Sequence, residues 1–217
     1  MAVADPPETD RLSARLRAGT RADHDAAQGS GFLDGLSDCR LPVAAYADLA
    51  AQHYFIYEAL EQAAAAMADD PAAGPFVTPE LTRLPALTAD LHHLLGPTWR
   101  DRVSARPATE EYRARLRDVA AVRAPAFVAH HYTRYLGDLS GGQYLGPAIA
   151  GAYGLNGDGH RFFVFAGVDP PAFRARYRAR LDAVDWSRAE QDAFLAEVFE
   201  AYRLNIEVLR ELKEHWG

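Results

Sequence analysis

The stretch Tyr132–Gln143, reading Tyr-Thr-Arg-Tyr-Leu-Gly-Asp-Leu-Ser-Gly-Gly-Gln, puts three glycines where the flanking residues require a helix. Before it, Pro125-Ala-Phe-Val-Ala-His-His131 has helical spacing; after it, Tyr144-Leu-Gly-Pro-Ala-Ile-Ala150 carries the apolar pattern onward. Each glycine inside a helix costs roughly 1 kcal/mol relative to alanine. In so alanine-rich a chain, that cost has to be offset by something only glycine supplies. Gly137 and Gly141 are four apart and share a face. Without Cβ atoms, that face can touch something flat or bulky, and Asp138 lies beside it. A close helix–helix crossing is the other use of such a face, and spacing alone leans slightly toward the crossing.

A length of 217 residues suits one sizeable core rather than two. Residues 1–9, acidic and proline-bearing, read as a flexible leader, and 10–217 as a single domain. The formal charge of −7 argues against nucleic acid as a partner, because phosphate binding demands a basic surface. The one cysteine, Cys39, can form no internal disulfide, which fits a reducing compartment. The N-terminal residues lack the character of a secretory signal, and no window approaches the ~20 apolar residues a membrane span needs. The expectation is a cytoplasmic protein without membrane contact.

Helical periodicity dominates the chain. Arg11–Gln28 carries Leu12 and Leu16 on one stripe and Arg17, Arg21 and His24 on another, and Gly29-Ser-Gly31 ends it. After a loop through Asp38–Pro42, Val43–Met67 is a long helix with Leu49, His53, Ile56, Tyr57 and Leu60 at helical spacing. Thr78, with Pro79 behind it, caps a helix reaching Leu95. Thr109–Val122 is amphipathic, with Tyr112, Leu116 and Val119 inward. The glycine-bearing helix runs from Pro125 to Gly151, and Gly154–Pro171 is irregular and aromatic. Pro170–Val184 is a helix bearing Arg174, Arg176, Arg178 and Arg180. Ser187 caps the last helix, Arg188–His215, with Phe194, Val198, Tyr202 and Asn205 near one stripe. The fold class is all-α, a single domain of seven or eight helices without internal repeats.

Several clusters carry possible chemistry. His24 with Arg17 and Arg21 on one face fits an axial imidazole whose porphyrin propionates meet cations, since a guanidinium fork matches a carboxylate. An exposed basic turn is the commoner use of that pattern. Arg174 and Arg178, four apart, make a second cationic pair, to which Tyr132 could add a hydroxyl. In a chain of net charge −7 such a cluster suits an anion, though alternating arginines usually mark a solvated face. Asp138 and Arg134 at i, i+4 form either a simple ion pair or, with Tyr57, Tyr112 and Asn205, the polar partners of an ordered water. No Glu-x-x-His pair for a non-heme metal, no Ser-His-Asp order and no phosphate loop is evident. The doublets His92-His93 and His130-His131 point to different faces.

The central stretch strongly resembles the signature of the heme oxygenase family. Leu16-Arg-Ala-Gly-Thr-Arg-Ala-Asp-His24, Ile56-Tyr-Glu-Ala-Leu-Glu61, Leu95-Gly-Pro-Thr-Trp99, Phe173-Arg-Ala-Arg-Tyr-Arg-Ala-Arg180 and Leu204-Asn-Ile206 are similar to further family segments in the same order. The resemblance covers about Leu12 to Leu212.

It implies a single all-α domain in which a proximal and a kinked distal helix sandwich heme (heme b, both cofactor and substrate). His24 would be the axial iron ligand. Gly137 and Gly141 would form the part of the distal helix lying over the ring, with Gly142 lending flexibility. Asp138, with Arg134, Tyr57, Tyr112 and Asn205, would organise a water network delivering protons to dioxygen. Arg17, Arg21, Tyr132, Arg174 and Arg178 would hold the propionates. The implied reaction opens heme at a meso carbon to biliverdin, carbon monoxide and ferrous iron. Its electrons would come from an external donor such as a ferredoxin or a reductase. A heme carrier or sensor of the same fold is the alternative, with no use for the Asp138 carboxylate. Gln28 stands where many relatives carry a Glu beside the proximal histidine, and Arg17 and Arg21 where lysine is frequent.

Overall fold

Buried apolar stripes at helical spacing account for most of the chain. The computed structural model, which describes residues 11–20 and 31–217, is accordingly all-α, with no strand among the described residues. In chain order the helices are α1 (Leu12–Gly19), α2 (Phe32–Ser37), α3 (Val43–Ala66), α4 (Leu84–Leu95) and α5 (Pro107–Arg115). They continue with α6 (Ala124–His131), α7 (Gly137–Tyr153), α8 (Pro170–Ala183) and α9 (Arg188–Trp216). The long α9 packs along α6 and α5, α3 along α4, α1 against α8, and α2 against α7. One large core joins Leu16, Leu49, Ile56, Tyr57, Phe127, Leu139, Tyr177, Phe194 and Val198.

Caps built from local residues fall where the sequence puts them. Ser187 accepts from Glu190 N–H while the Glu190 carboxylate accepts from Ser187 N–H, a complete capping box. Asp169 likewise accepts from Ala172 N–H at the start of α8. Four boundaries differ from expectation. The Thr78 side chain caps nothing: Pro79–Leu81 is a short 3-10 turn, the backbone extends at Thr82, and α4 restarts at Leu84. Its amide ends are satisfied from another helix, since Glu61 of α3 accepts from Arg83 N–H at 2.6 Å and Leu84 N–H at 3.1 Å. The short helix α2 carries too few residues to show a period. The segments Leu116–Ala120 and Tyr132–Leu136 are π-helical. Their wider i→i+5 turns shift the facing by a residue, so Ala120 is buried where Val119 was expected inward. The glycine-bearing helix is therefore α6, a π turn and α7 in succession. Arg21, His24 and Gln28, and with them the rest of the expected Arg11–Gln28 helix, lie outside the described residues, as does the 1–9 leader.

The irregular segment after α7 is held by two buried charges. Asp90 of α4, fully buried, accepts from the N–H groups of Arg161 and Phe162, each at 2.8 Å. Arg83, 7% exposed, donates to the carbonyls of Phe162 and Val164 and stacks 3.9 Å over the Phe165 ring. The result fixes Phe163 against α7.

Candidate functional site

The π turn Tyr132–Leu136 and the first turns of α7 wall two adjoining cavities. One, of about 820 Å³, is lined by Arg17, Thr20, Tyr132, Ser140, Arg174 and Arg178, among others. The other, of about 150 Å³, is lined by His53, Arg134, Asp138, Gly141, Phe163 and Asn205, among others. Thr133, Gly137 and Tyr202 belong to both. Together they form a slot with cations at one end and a carboxylate network at the other.

Gly137 and Gly141 form the bare wall of this slot. A Cβ at either position would meet no described atom within 4 Å, so the face is open to whatever occupies the slot. Gly142 differs. It lines the smaller cavity, but a Cβ there would stand 3.2 Å from Phe163 Cδ1, and at Gly146 one would stand 2.7 Å from Phe163 Cβ. These two glycines serve the close packing that spacing alone favours, and the flexibility expected of Gly142 gives way to a packed contact.

At the cationic end the structure brings Arg17 of α1, Tyr132 of the π turn, and Arg174 and Arg178 of α8 around one cavity. Arg174 donates to the Ser140 hydroxyl at 3.2 Å, a partner from α7 that spacing did not single out. Burial and the field of Arg178 act oppositely on the Tyr132 hydroxyl, and burial prevails, keeping it protonated.

At the other end Asp138 is nearly enclosed, its side chain 16% exposed. The Tyr57 hydroxyl of α3 donates to its carboxylate across a very short contact. Burial raises the Asp138 carboxyl above its ordinary range, and the charge of Arg134 and the Tyr57 bond offset this only in part. Such a carboxyl takes up a proton more readily than an exposed aspartate. Arg134, 5% exposed, lies 3.8 Å from Asp138 rather than in a tight ion pair. Its Nη1 donates to Asn205 Oδ1 of α9 at 2.5 Å, and its face lies 5.2 Å from the Tyr57 ring centroid. Its Nε and Nη2 are buried without hydrogen-bond partners among the described residues. A guanidinium so held fits a site completed by a further polar group.

Tyr112 stands behind this network rather than on the slot. It is fully buried, and its hydroxyl lies 3.5 Å from His130 Nδ1, at the limit of a hydrogen bond. His130 Nε2 is 2.9 Å from Glu197, which also takes a forked bond from Arg115 at 2.7 and 2.5 Å. His131 turns the other way, to the Tyr177 hydroxyl at 3.0 Å, so the doublet does point to two faces. Among the described residues no group of three metal-ligating side chains occurs. Arg21 and His24, the remaining expected site residues, lie outside the described residues. Phe163, Ser140 and His53 are slot residues the sequence reading did not assign. Only His53 left a signal, a polar residue on an apolar stripe one turn from Tyr57.

A slot with one bare wall, cations at an end and a buried carboxylate at the other suits a flat dianion, and heme fits each part. The heme oxygenase family model matches residues 10–211. Heme oxygenase 1 of Nostoc sp. (strain PCC 7120) is 34% identical over 207 residues, covering 94% of this chain and 87% of that protein. Heme oxygenase 1 of Gallus gallus is 36% identical, covering 94% of this chain and 70% of that protein. Among solved structures, heme oxygenase-1 from the cyanobacterium Synechocystis sp. PCC6803 in complex with heme superposes with a TM-score of 0.89 at 34% identity. That match covers 94% of this chain and 93% of the other.

Proposed function

The chain belongs to the heme oxygenase family, and from that premise we propose a role for each wall of its slot. Its reaction is the degradation of heme to biliverdin, and it is an enzyme rather than a carrier. Bound heme supplies the iron that activates dioxygen and is itself the substrate, opened at a meso carbon with release of carbon monoxide and ferrous iron. Dioxygen is the co-substrate, and an external donor, a ferredoxin or a reductase, provides the electrons. Residues 10–217 act as one domain. Among the described residues no helix is long and apolar enough to cross a membrane. With one free cysteine, Cys39, we place the protein in the cytoplasm.

His24 would hold the heme iron in this reading. Arg17, Arg21, Tyr132, Arg174 and Arg178 would bind the propionates, whose charge the forked guanidiniums match. Held by both propionates, heme would be oriented by these residues, and that orientation would decide which carbon reacts. Gly137 and Gly141 admit the ring against backbone. Gly142 borders the same space, with its Phe163 contact holding the helix in place.

The observation that carries the assignment is Asp138. A carboxyl raised by burial, bridged by Tyr57 and faced by Arg134 and Asn205, holds and passes protons at the reacting end of the slot. Tyr112, its hydroxyl 3.5 Å from His130 Nδ1, acts on Arg134 only through its electrostatic field. Asp138→Ala tests this: biliverdin formation should fall about 10-fold or more while heme affinity stays within about threefold. Hemin, a reductant system and oxygen, followed by the visible spectrum, give both quantities. An undiminished biliverdin yield would remove Asp138 from the role.

A further inference from the structure

On α3, one turn before Tyr57, stands a second group that the proton-handling set does not include. His53 is 8% exposed and lines the smaller cavity together with Arg134, Asp138 and Asn205. The i, i+4 spacing puts both side chains on one face of α3, and Phe162 packs against both rings, 5.0 Å from the His53 centroid and 5.5 Å from that of Tyr57. Tyr57 spends its hydroxyl on Asp138. His53 has no hydrogen bond among the described residues.

An imidazole this enclosed is normally hydrogen-bonded. Burial, and next the charge of Arg134, hold its pKa well below the usual histidine value, so it is neutral. A neutral imidazole offers one N–H donor and one ring-nitrogen acceptor. Arg134 lines the same cavity, and its Nε and Nη2 are buried donors without partners among the described residues. The cavity of about 150 Å³ far exceeds the roughly 15 Å³ that one water requires, and a buried water wants two to four polar partners. Arg134 can only donate, Asp138 accepts, and a ring nitrogen can do either. The three together satisfy a water that neither Arg134 nor Asp138 could orient alone.

We infer that His53 is a positioning residue of the reacting end: its imidazole hydrogen-bonds a water held between it, Arg134 and Asp138, fixing that water's orientation toward the carboxylate. The proton stays within this set, received by the water from solvent and given to Asp138, with His53 unchanged. The inference rests on the proposed role of Asp138.

Two variants separate hydrogen bonding from space filling. His53→Leu keeps an apolar side chain against Phe162, and His53→Gln restores a donor and an acceptor. The first measurement is crystallographic, on the heme-free wild type and His53→Leu. A water within hydrogen-bond reach of both His53 and Arg134 should be present in the wild type and lost or displaced in the variant. The second is biliverdin formation under saturating heme. His53→Leu should slow it about five- to tenfold, the size of one buried hydrogen bond, with heme affinity and the thermal midpoint preserved, and His53→Gln should recover most of the rate. Absence of the water, wild-type turnover in His53→Leu, or a glutamine variant as slow as the leucine one would each overturn the inference. If wild-type and Asp138→Ala proteins turn over alike, it is the role of Asp138 that has failed, and the crystallographic arm still decides whether His53 holds the water.

Discussion

Along α7 one pair of glycines, Gly137 and Gly141, looks onto the slot, while a second pair, Gly142 and Gly146, looks onto Phe163. Both pairs have the same i, i+4 spacing, and both incur the same helix-propensity penalty. Neighbouring residues on a helix are about 100° apart, so Gly141 and Gly142 serve different masters though adjacent in sequence. Composition shows that backbone must be approached closely. Only the partner shows whether the approaching group is the protein's own ring or a ligand.

The comparison breaks most visibly at Gly141. Gly141→Leu points a side chain where no described atom lies within 4 Å of its Cβ, so the heme-free protein should keep or slightly raise its thermal midpoint. Heme affinity, read from the Soret band, should fall by about 100-fold or more because the ring must stand off the helix. A loss of stability instead would mean that Gly141 is a packing glycine after all. On the other face the sign reverses. Gly146→Ala collides with Phe163 near its Cβ, which cannot swing aside, and overpacking costs about 1–3 kcal/mol. Against a propensity gain of roughly 1 kcal/mol, the heme-free thermal midpoint should drop by about 2–6 °C. An unchanged melt would place the loop farther from α7 than described. The smallest effect belongs to Gly137→Ala, expected to stabilise the heme-free protein by about 0.5–1 kcal/mol while weakening heme binding measurably. Chemical denaturation and heme titration of the same sample check both halves; tighter heme binding would contradict the bare-wall role.

Much of this molecule was legible before any coordinate. Helices with local signals, such as the Ser187–Glu190 box, and the buried stripe of α3 follow from residues a few positions apart. So does the prominence of Asp138 and the glycines. The features that escaped depend on partners distant in sequence. The start of α4 is capped by Glu61, more than twenty residues upstream. Arg134 keeps the expected Asp138 one turn away at 3.8 Å, but the hydrogen bond that aims it goes to Asn205 of α9. The two π turns leave no composition signature, yet each rotates the helical residues beyond it. His53 read as core because a histidine on an apolar stripe usually is, and only the cavity beside it distinguishes the cases.

Asp90 and Arg83, gripping the segment that carries Phe163, bear on the thermodynamics of ligand capture. The back of α7 is braced by contacts wholly internal to the chain, so its conformational entropy is lost at folding rather than at the encounter. Binding then need not order that wall, and a preorganised surface converts more of its contact energy into affinity. Loosening the brace at Asp90 would weaken heme binding from the far side of the helix, through a residue that never touches the ligand.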